Sequence, residues 1–281
     1  MNYMPKNKPI VAIMYDFDKT LATTDMQNYS FIPALGMTSE EFWSSVSEFT
    51  EETGIESILA YMYMMVEKCR DKNIPLTKEY LYKLGKDVKF FDGVTTWFKR
   101  INTYAEELGI EVEHYIISSG TKEIIEGTSI AKEFKKIYAC EFLYDKNGEA
   151  TWPKFAINFT HKTQFVFRIA KGVFDINDNV SVNTKVEKRI PYSNLIYIGD
   201  GLTDIPCMTL VKEKGGKSIA VYPKGMKEKV DQLYEEKRVN YICRGDYSAN
   251  SDIEKIVKLL LDEIGIANKL YKQEIGLLKK N

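Results

Sequence analysis

The chain reads as an α/β protein, a mostly parallel sheet with helices on both faces and a helical bundle inserted near its start. Three observations predict this. From about Phe91 onward, short apolar runs alternate with stretches of helical spacing, the rhythm of parallel strands joined by crossover helices. Residues 39–84 carry helical spacing with no strand-like run. Three of the apolar runs break into polar turns just where carboxylates, serines and glycines appear, as strand ends facing a ligand do in an open α/β sheet.

Composition narrows the partners. The formal charge is −1 and charged residues make up 28% of the chain, which argues against a general binder of nucleic acid or of an anionic membrane. A hydrophobic fraction of 44% suffices for a sizeable core. The longest greasy stretch, Ile58 to Val66, is too short to span a bilayer, and Met1 to Pro9 lacks a signal-peptide core. Cys69, Cys140, Cys207 and Cys243 show neither metal-ligand spacing nor a disulfide framework. A cytoplasmic location is the expectation.

In chain order, Ile10 to Tyr15 is a strand, and Ala22 to Gln27 is small and polar, a connection leaving a first domain. Ser39 is an N-cap candidate with acids in the turn after it, and Ile55, Ile58, Leu59, Met62, Met65 and Val66 recur at helical spacing. The Tyr61–Met65 run reads as bundle core before it reads as a ligand box. Thr77 to Leu81 opens a further helix after Pro75. Val94, Trp97, Phe98 and Ile101 form a helical stripe after the Asp92-Gly93 turn. Val112 to Ile117 is a strand ending at Ser118-Ser119-Gly120, and Lys122 to Glu126 is the helix it enters. Ile137 to Leu143 is the next strand, with a hairpin turn tipped by Asn147-Gly148. A helix is expected from Thr163 to Lys171, strands over Leu195–Ile198, Ser218–Tyr222 and Val239–Cys243, and a closing helix over Ser251–Ile264. The stretch from Asp175 to Arg189 reads as a surface loop. Its opening resembles a calcium loop, but Val180 stands where that loop needs Gly and Val186 where it needs Glu. Lys279 to Asn281 is expected to be a solvated tail.

The strand ends carry the chemistry. Asp16 and Asp18 lie two residues apart at the end of the first run, and like charges that close require a cation or a shared proton. One reading is a nucleophilic carboxylate with an acid/base partner and a Mg²⁺ site; the simpler one is a strand ending in a turn, where Asp is common. Asp200 stands between two glycines, which let backbone approach a ligand closely, and supplies a second metal carboxylate. Asp16, the Asp18 carbonyl and Asp200 meet the oxygen-ligand demand of Mg²⁺, with Asp204 either a further ligand through water or a helix N-terminal acid. Ser118 is either a helix N-cap or a phosphate ligand with the N–H groups of Ser119 and Gly120 beside it. Lys162, at a helix start where the macrodipole disfavours a cation, is either the positive charge for an anionic partner or simply a solvated lysine. His161 reads as a surface or capping residue.

Asp16-Phe17-Asp18-Lys19-Thr20, Ser118, Lys162 and Gly199-Asp200-Gly201-Leu202-Thr203-Asp204, in that order, resemble the haloacid dehalogenase superfamily and its phosphoserine-phosphatase-like branch. The resemblance runs from Ile10 to about Tyr222. It implies a Rossmann-like core over residues 1–22 and 88–281, with a helical cap over 23–87 inserted after the first motif. It implies that Asp16 is the nucleophile forming an aspartyl-phosphate, that Asp18 protonates the leaving group and then activates water, and that Thr20 orients the acids. Ser118 and Lys162 would hold the phosphoryl group and Asp200 the Mg²⁺. The acid/base Asp18 argues against a dehalogenase. Asp25 stands where phosphoserine phosphatases typically carry Glu, either meeting a substrate amino group or serving as a linker turn. Lys19, Thr203 and Ser119-Gly120-Thr121 also depart from the branch's usual Ser, Asn and Gly-Gly-Phe, which leaves the leaving group open.

The reading that results is a Mg²⁺-dependent phosphomonoesterase for a small phosphorylated metabolite. The competing readings are a phosphotransferase to an alcohol and a phosphoryl acceptor or binder without turnover, which the intact Asp18 disfavours.

Overall fold

The computed structural model describes residues 8–278; the expected tail at Lys279–Asn281 lies outside them, as does most of Met1–Pro9. In order, the chain forms β1 (Ile10–Tyr15), α1 (Phe31–Ala34), α2 (Ser39–Thr53), α3 (Ser57–Asp71), α4 (Lys78–Leu84), α5 (Val94–Glu107), β2 (Glu111–Thr121) and α6 (Lys122–Glu126). There follow β3 (Lys136–Tyr144), β4 (Ala150–Phe155), α7 (Phe159–Lys171), α8 (Asn179–Thr184), β5 (Leu195–Gly199) and α9 (Ile205–Glu213). The last elements are β6 (Lys217–Tyr222), α10 (Glu228–Glu235), β7 (Tyr241–Arg244) and α11 (Asp252–Leu278).

The seven strands make one sheet in the order β4-β3-β2-β1-β5-β6-β7. Every pairing is parallel except the β3–β4 hairpin. Val11 to Tyr15 are fully buried, as a central strand covered on both faces must be. Helix α5 covers one face through its predicted stripe, with Val94, Trp97, Phe98 and Ile101 buried. β1 pairs with β2 on one side and β5 on the other, so the strand order reverses there and a crevice opens at the strand ends.

The described residues between β1 and α5 form no named strand. The connections into and out of this helical segment meet each other: Ala22 and Phe90 form an antiparallel bridge, and the Thr23 amide donates to the Lys89 carbonyl at 2.9 Å. Its far end rests on the β3–β4 hairpin, where the Ala150 amide donates to the Leu76 carbonyl at 2.8 Å.

Several boundaries differ from the sequence reading. Thr38, not Ser39, caps α2, in a capping box with Glu41, and Gly54 ends that helix at φ +70°. α7 starts at Phe159 instead of Thr163, because the Asn158 side chain accepts from the His161 amide. β2 continues to Thr121, so Ser118 sits in a strand and is no helix N-cap. The expected loop 175–189 contains α8, capped by Asp178. The stretch is held down by buried Arg168, whose guanidinium donates to the carbonyls of Asp175, Ile176 and Asp178. α11 runs on to Leu278. A 3₁₀ turn over Met26–Asn28 occupies part of the expected linker.

Candidate active site

The ends of β1, β2 and β5 converge on a cavity of about 280 Å³, lined by Asp16, Asp18, Ser118, Lys162 and Asp200 among others. Asp16 is 5% exposed; its amide donates to the Ile198 carbonyl at 2.9 Å, which fixes the end of β1 against β5. Thr20 Oγ1 donates to Asp16 Oδ2 at 3.4 Å. The buried Lys162 ammonium donates to Asp16 Oδ1 at 2.7 Å and to Asp204 Oδ1 at 2.8 Å. These contacts supply the anions that Lys162 requires in the first turns of α7.

Asp204 is more central than the sequence indicated. It is fully buried, accepting from Lys162 and from the Tyr197 hydroxyl at 2.7 Å through Oδ1, and from the Asp200 amide at 3.2 Å through Oδ2. Gly199 makes this possible: a Cβ there would stand 2.5 Å from the Asp204 carboxylate. The two glycines around Asp200 therefore do different things. Gly199 clears space for an internal carboxylate rather than for a ligand, while nothing lies within 4 Å of a Cβ at Gly201. Tyr197 went unread because, in sequence, it is one more apolar residue of a buried strand.

Asp18 shares none of Asp16's hydrogen-bond partners among the described residues. Its Oδ1 accepts from the Met26 amide at 2.8 Å, while Oδ2 makes no hydrogen bond among the described residues. Gly120 packs against it; a Cβ at 120 would fall 2.1 Å from the Met26 methyl and 2.9 Å from Asp18 Oδ2. The Gly120 amide, expected to face a phosphate, donates instead to Ser118 Oγ at 3.0 Å. Because that oxygen already accepts, the Ser118 hydroxyl keeps its proton for an acceptor in the cavity. The Ser119 carbonyl accepts from the Tyr61 hydroxyl at 2.7 Å, and Ser119 Oγ is buried without a partner among the described residues. Asp25 is held by Lys19, whose ammonium lies 2.8 Å from each of its oxygens. Lys19 itself adopts φ +57°, a left-handed conformation in the tight turn after Asp18.

The electrostatics are unbalanced toward the negative. Burial, then the nearness of Asp25 and Asp16, holds the Asp18 carboxyl well above its ordinary range. Burial pushes Asp16 up to about 6 despite the opposing pull of Lys162, and burial with Asp16 and Asp204 pushes Asp200 up to about 8. Asp16, Asp200 and Asp204 each offer an oxygen, all within 4.8 Å of one another. An oxygen-only donor set with more carboxylates than ammonium groups fits a hard divalent cation such as Mg²⁺.

Residues 13–209 match the family model of haloacid dehalogenase-like hydrolases. An uncharacterized protein of Borreliella burgdorferi is 27% identical over 277 residues, 89% of this chain and 96% of that one. Among solved structures, the fold resembles a probable phosphoserine phosphatase from Vibrio cholerae (TM-score 0.60, 12% identity, 93% of this chain and 67% of that one). It also resembles a substrate-bound phosphoserine phosphatase (TM-score 0.55, 16% identity, 91% and 99%). A third is a HAD family hydrolase from Salmonella enterica serovar Typhi (TM-score 0.56, 14% identity, 89% and 74%).

Proposed function

The chain belongs to the haloacid dehalogenase-like hydrolases, and we propose that it is a Mg²⁺-dependent phosphomonoesterase working on a small phosphorylated metabolite through a covalent phosphate on Asp16. The observation that carries the proposal is the pairing at the end of β1. Asp16 is anchored by Lys162 and Thr20, while Asp18, two residues on, keeps one carboxyl oxygen unengaged among the described residues and favours its proton.

In the first step an Asp16 oxygen forms a bond to phosphorus as the bond to the leaving oxygen breaks, and Asp18 gives its proton to that oxygen. In the second, water adds to phosphorus, Asp18 takes the water's proton, and the bond to Asp16 breaks to release phosphate. One residue thus serves as acid and then as base. Ser118 and Lys162 hold phosphoryl oxygens, the hydroxyl through its free proton and the ammonium through charge. Asp16, the Asp18 carbonyl and Asp200 would hold Mg²⁺, with Asp204 behind them; the ion supplies positive charge against the phosphoryl oxygens. Helices of residues 23–87 act as the cap, swinging on the paired connections at Ala22 and Phe90 to exclude bulk water.

The test is hydrolysis of a chromogenic aryl phosphate with Mg²⁺ and with a chelator. Activity that needs the ion is expected, and Asp200→Ala should shift the Mg²⁺ requirement to higher concentration. Hydrolysis indifferent both to chelation and to this substitution would refute the assignment.

A further inference from the structure

Beside the phosphoryl cavity lies a second chamber of about 300 Å³ that shares Asp18, Asp25, Ser119 and Gly120 with it. Its other walls come from the helical segment between β1 and α5: Gln27, Trp43, Val46, Ile58 and Tyr61, with Ser47 among the rest. A leaving group attached to a phosphoryl group in the first cavity has this chamber next to the Asp18 carboxyl.

The walls have a consistent chemistry. Among the described residues no Lys, Arg or His lines the chamber. Lys19 lies on the phosphoryl side and already meets both oxygens of Asp25. The aromatic walls have their polar atoms engaged elsewhere: Trp43 Nε1 donates to Asn28 Oδ1 at 3.0 Å and the Tyr61 hydroxyl to Ser119. What they offer the chamber is ring surface. Gln27 is the opposite case. It is 2% exposed, it lines the chamber, and its side-chain amide makes no hydrogen bond among the described residues. Its amide atoms are not sealed off but open to the chamber, where an amide can both donate and accept. It suits a hydroxyl or another amide and carries no charge with which to neutralise an ion.

Resting on the phosphomonoesterase reading above, we infer that the leaving group is an uncharged alcohol with a ring to lie on Trp43 and Tyr61 and a hydroxyl or amide for Gln27. Sugar or nucleoside chemistry meets that description. A hydroxy acid or amino acid does not, because its carboxylate would be desolvated beside Asp18 with no cation among the described lining residues to meet it, Lys19 being already taken by Asp25. The substrate class is thus separated from that of the phosphoserine phosphatases whose fold this chain shares.

The experiment compares kcat/KM, with Mg²⁺, for ribose 5-phosphate, a nucleoside 5′-monophosphate, O-phosphoserine and 3-phosphoglycerate, with an aryl phosphate as the control for the chemistry. At least one uncharged ester should exceed both carboxylate esters by roughly tenfold to a hundredfold, and the two uncharged arms identify the ring. Carboxylate esters turned over as well as the uncharged ones, with the aryl ester cleaved normally, overturn the inference and leave the phosphatase reading standing. If even the aryl ester is not cleaved, the phosphatase reading fails, and affinities measured on Asp16→Asn by Trp emission still rank the four esters. Gln27→Ala should lower kcat/KM for the preferred ester about tenfold more than for the aryl ester; equal losses contradict the role given to the amide. Ser47→Arg adds the absent cation at the chamber wall and should raise relative turnover of the carboxylate esters, and an unchanged ratio counts against the inference.

Discussion

The two chambers that meet at Asp18 are built on opposite principles. The phosphoryl cavity takes its carboxylates and Ser118 from the ends of β1, β2 and β5 and its ammonium from the start of α7, and concentrates charge: Asp16, Asp18, Asp200 and Lys162 line it, with Asp204 buried behind. The neighbouring chamber is walled mainly by helices and a 3₁₀ turn, and beyond the shared Asp18 and Asp25 none of its described lining residues is charged. Strand ends hold carboxylates at fixed separations, which chemistry at phosphorus requires. Helices can exchange side chains without disturbing that geometry, which lets the leaving group change while the reaction stays. If the division is real, substitutions on the two sides should differ in kind: those in the first cavity should stop or slow every ester, and those in the second should reorder esters.

The largest expected effect is on the charged side. Asp16→Asn should abolish turnover of all phosphoesters while leaving the fold intact, since the amide is isosteric but cannot form the acyl-phosphate. Mass analysis should find phosphate on wild-type Asp16 after rapid quenching and none on the variant, with deamidation back to Asp excluded. Substantial activity in the verified variant would end the covalent mechanism and with it the division of labour.

Next comes Asp18→Asn, expected to slow hydrolysis by about 10²–10⁴-fold, the usual share of a general acid–base group. For the first step the loss should shrink with esters of good leaving groups, because those need less protonation. A uniform loss in single-turnover phosphorylation across leaving groups would remove Asp18 from the acid role.

A third, smaller effect concerns stability without the metal. In the folded chain burial pushes Asp16 up to about 6, and burial with Asp16 and Asp204 pushes Asp200 up to about 8, both above an ordinary carboxyl at about 4. Between those values the folded state binds more protons than the unfolded one, so stability falls as pH rises. In chelator, Tm should drop between about pH 6.5 and 8, above the range in which burial of neutral His114, lowered to about 3, makes stability rise with pH, and by roughly 2–4 °C for each kcal/mol lost. Mg²⁺ should flatten that slope, and Asp200→Asn should remove its upper part. A metal-free Tm that is level or rising over this interval would mean the site is not charge-strained.

The same division explains what the sequence made legible. Asp16, Asp18, Ser118, Lys162 and Asp200 were readable because each stands where an apolar run stops or a helix begins, and the sheet brings those places together. Asp204 was read more weakly, since nothing local reveals that Gly199 leaves room for its carboxylate under the Asp200 amide. On the other side, helical spacing marks which residues face inward but not whether inward means core or cavity. Tyr61 illustrates the ambiguity: it was read as core, it is 5% exposed, and it also walls the chamber. Gln27 sits in a polar linker with no pattern at all, and only its burial without a hydrogen bond among the described residues distinguishes it.

The smallest effect probes the seam between the two chambers. The Tyr61 hydroxyl on α3 reaches the Ser119 carbonyl on β2 at 2.7 Å, joining the helical segment to the strand that carries Ser118. Among the described residues the Ser119 carbonyl has one other side-chain partner, the Cys140 thiol at 3.3 Å, which is a weak donor. Tyr61→Phe keeps the ring wall and removes only the hydroxyl. The net value of such a bond is about 0.5–1.5 kcal/mol, or roughly twofold to tenfold in an equilibrium. If Tyr61 serves the closed position of the helical segment, the loss should fall on kcat/KM for ring-bearing esters more than on a small ester such as methyl phosphate, because only the former need the chamber shut around them. If it serves the placement of Ser118, both should lose equally, and kcat should fall with KM unchanged. The second pattern would show that the seam belongs to the phosphoryl cavity and that the two chambers are less separable than their walls indicate.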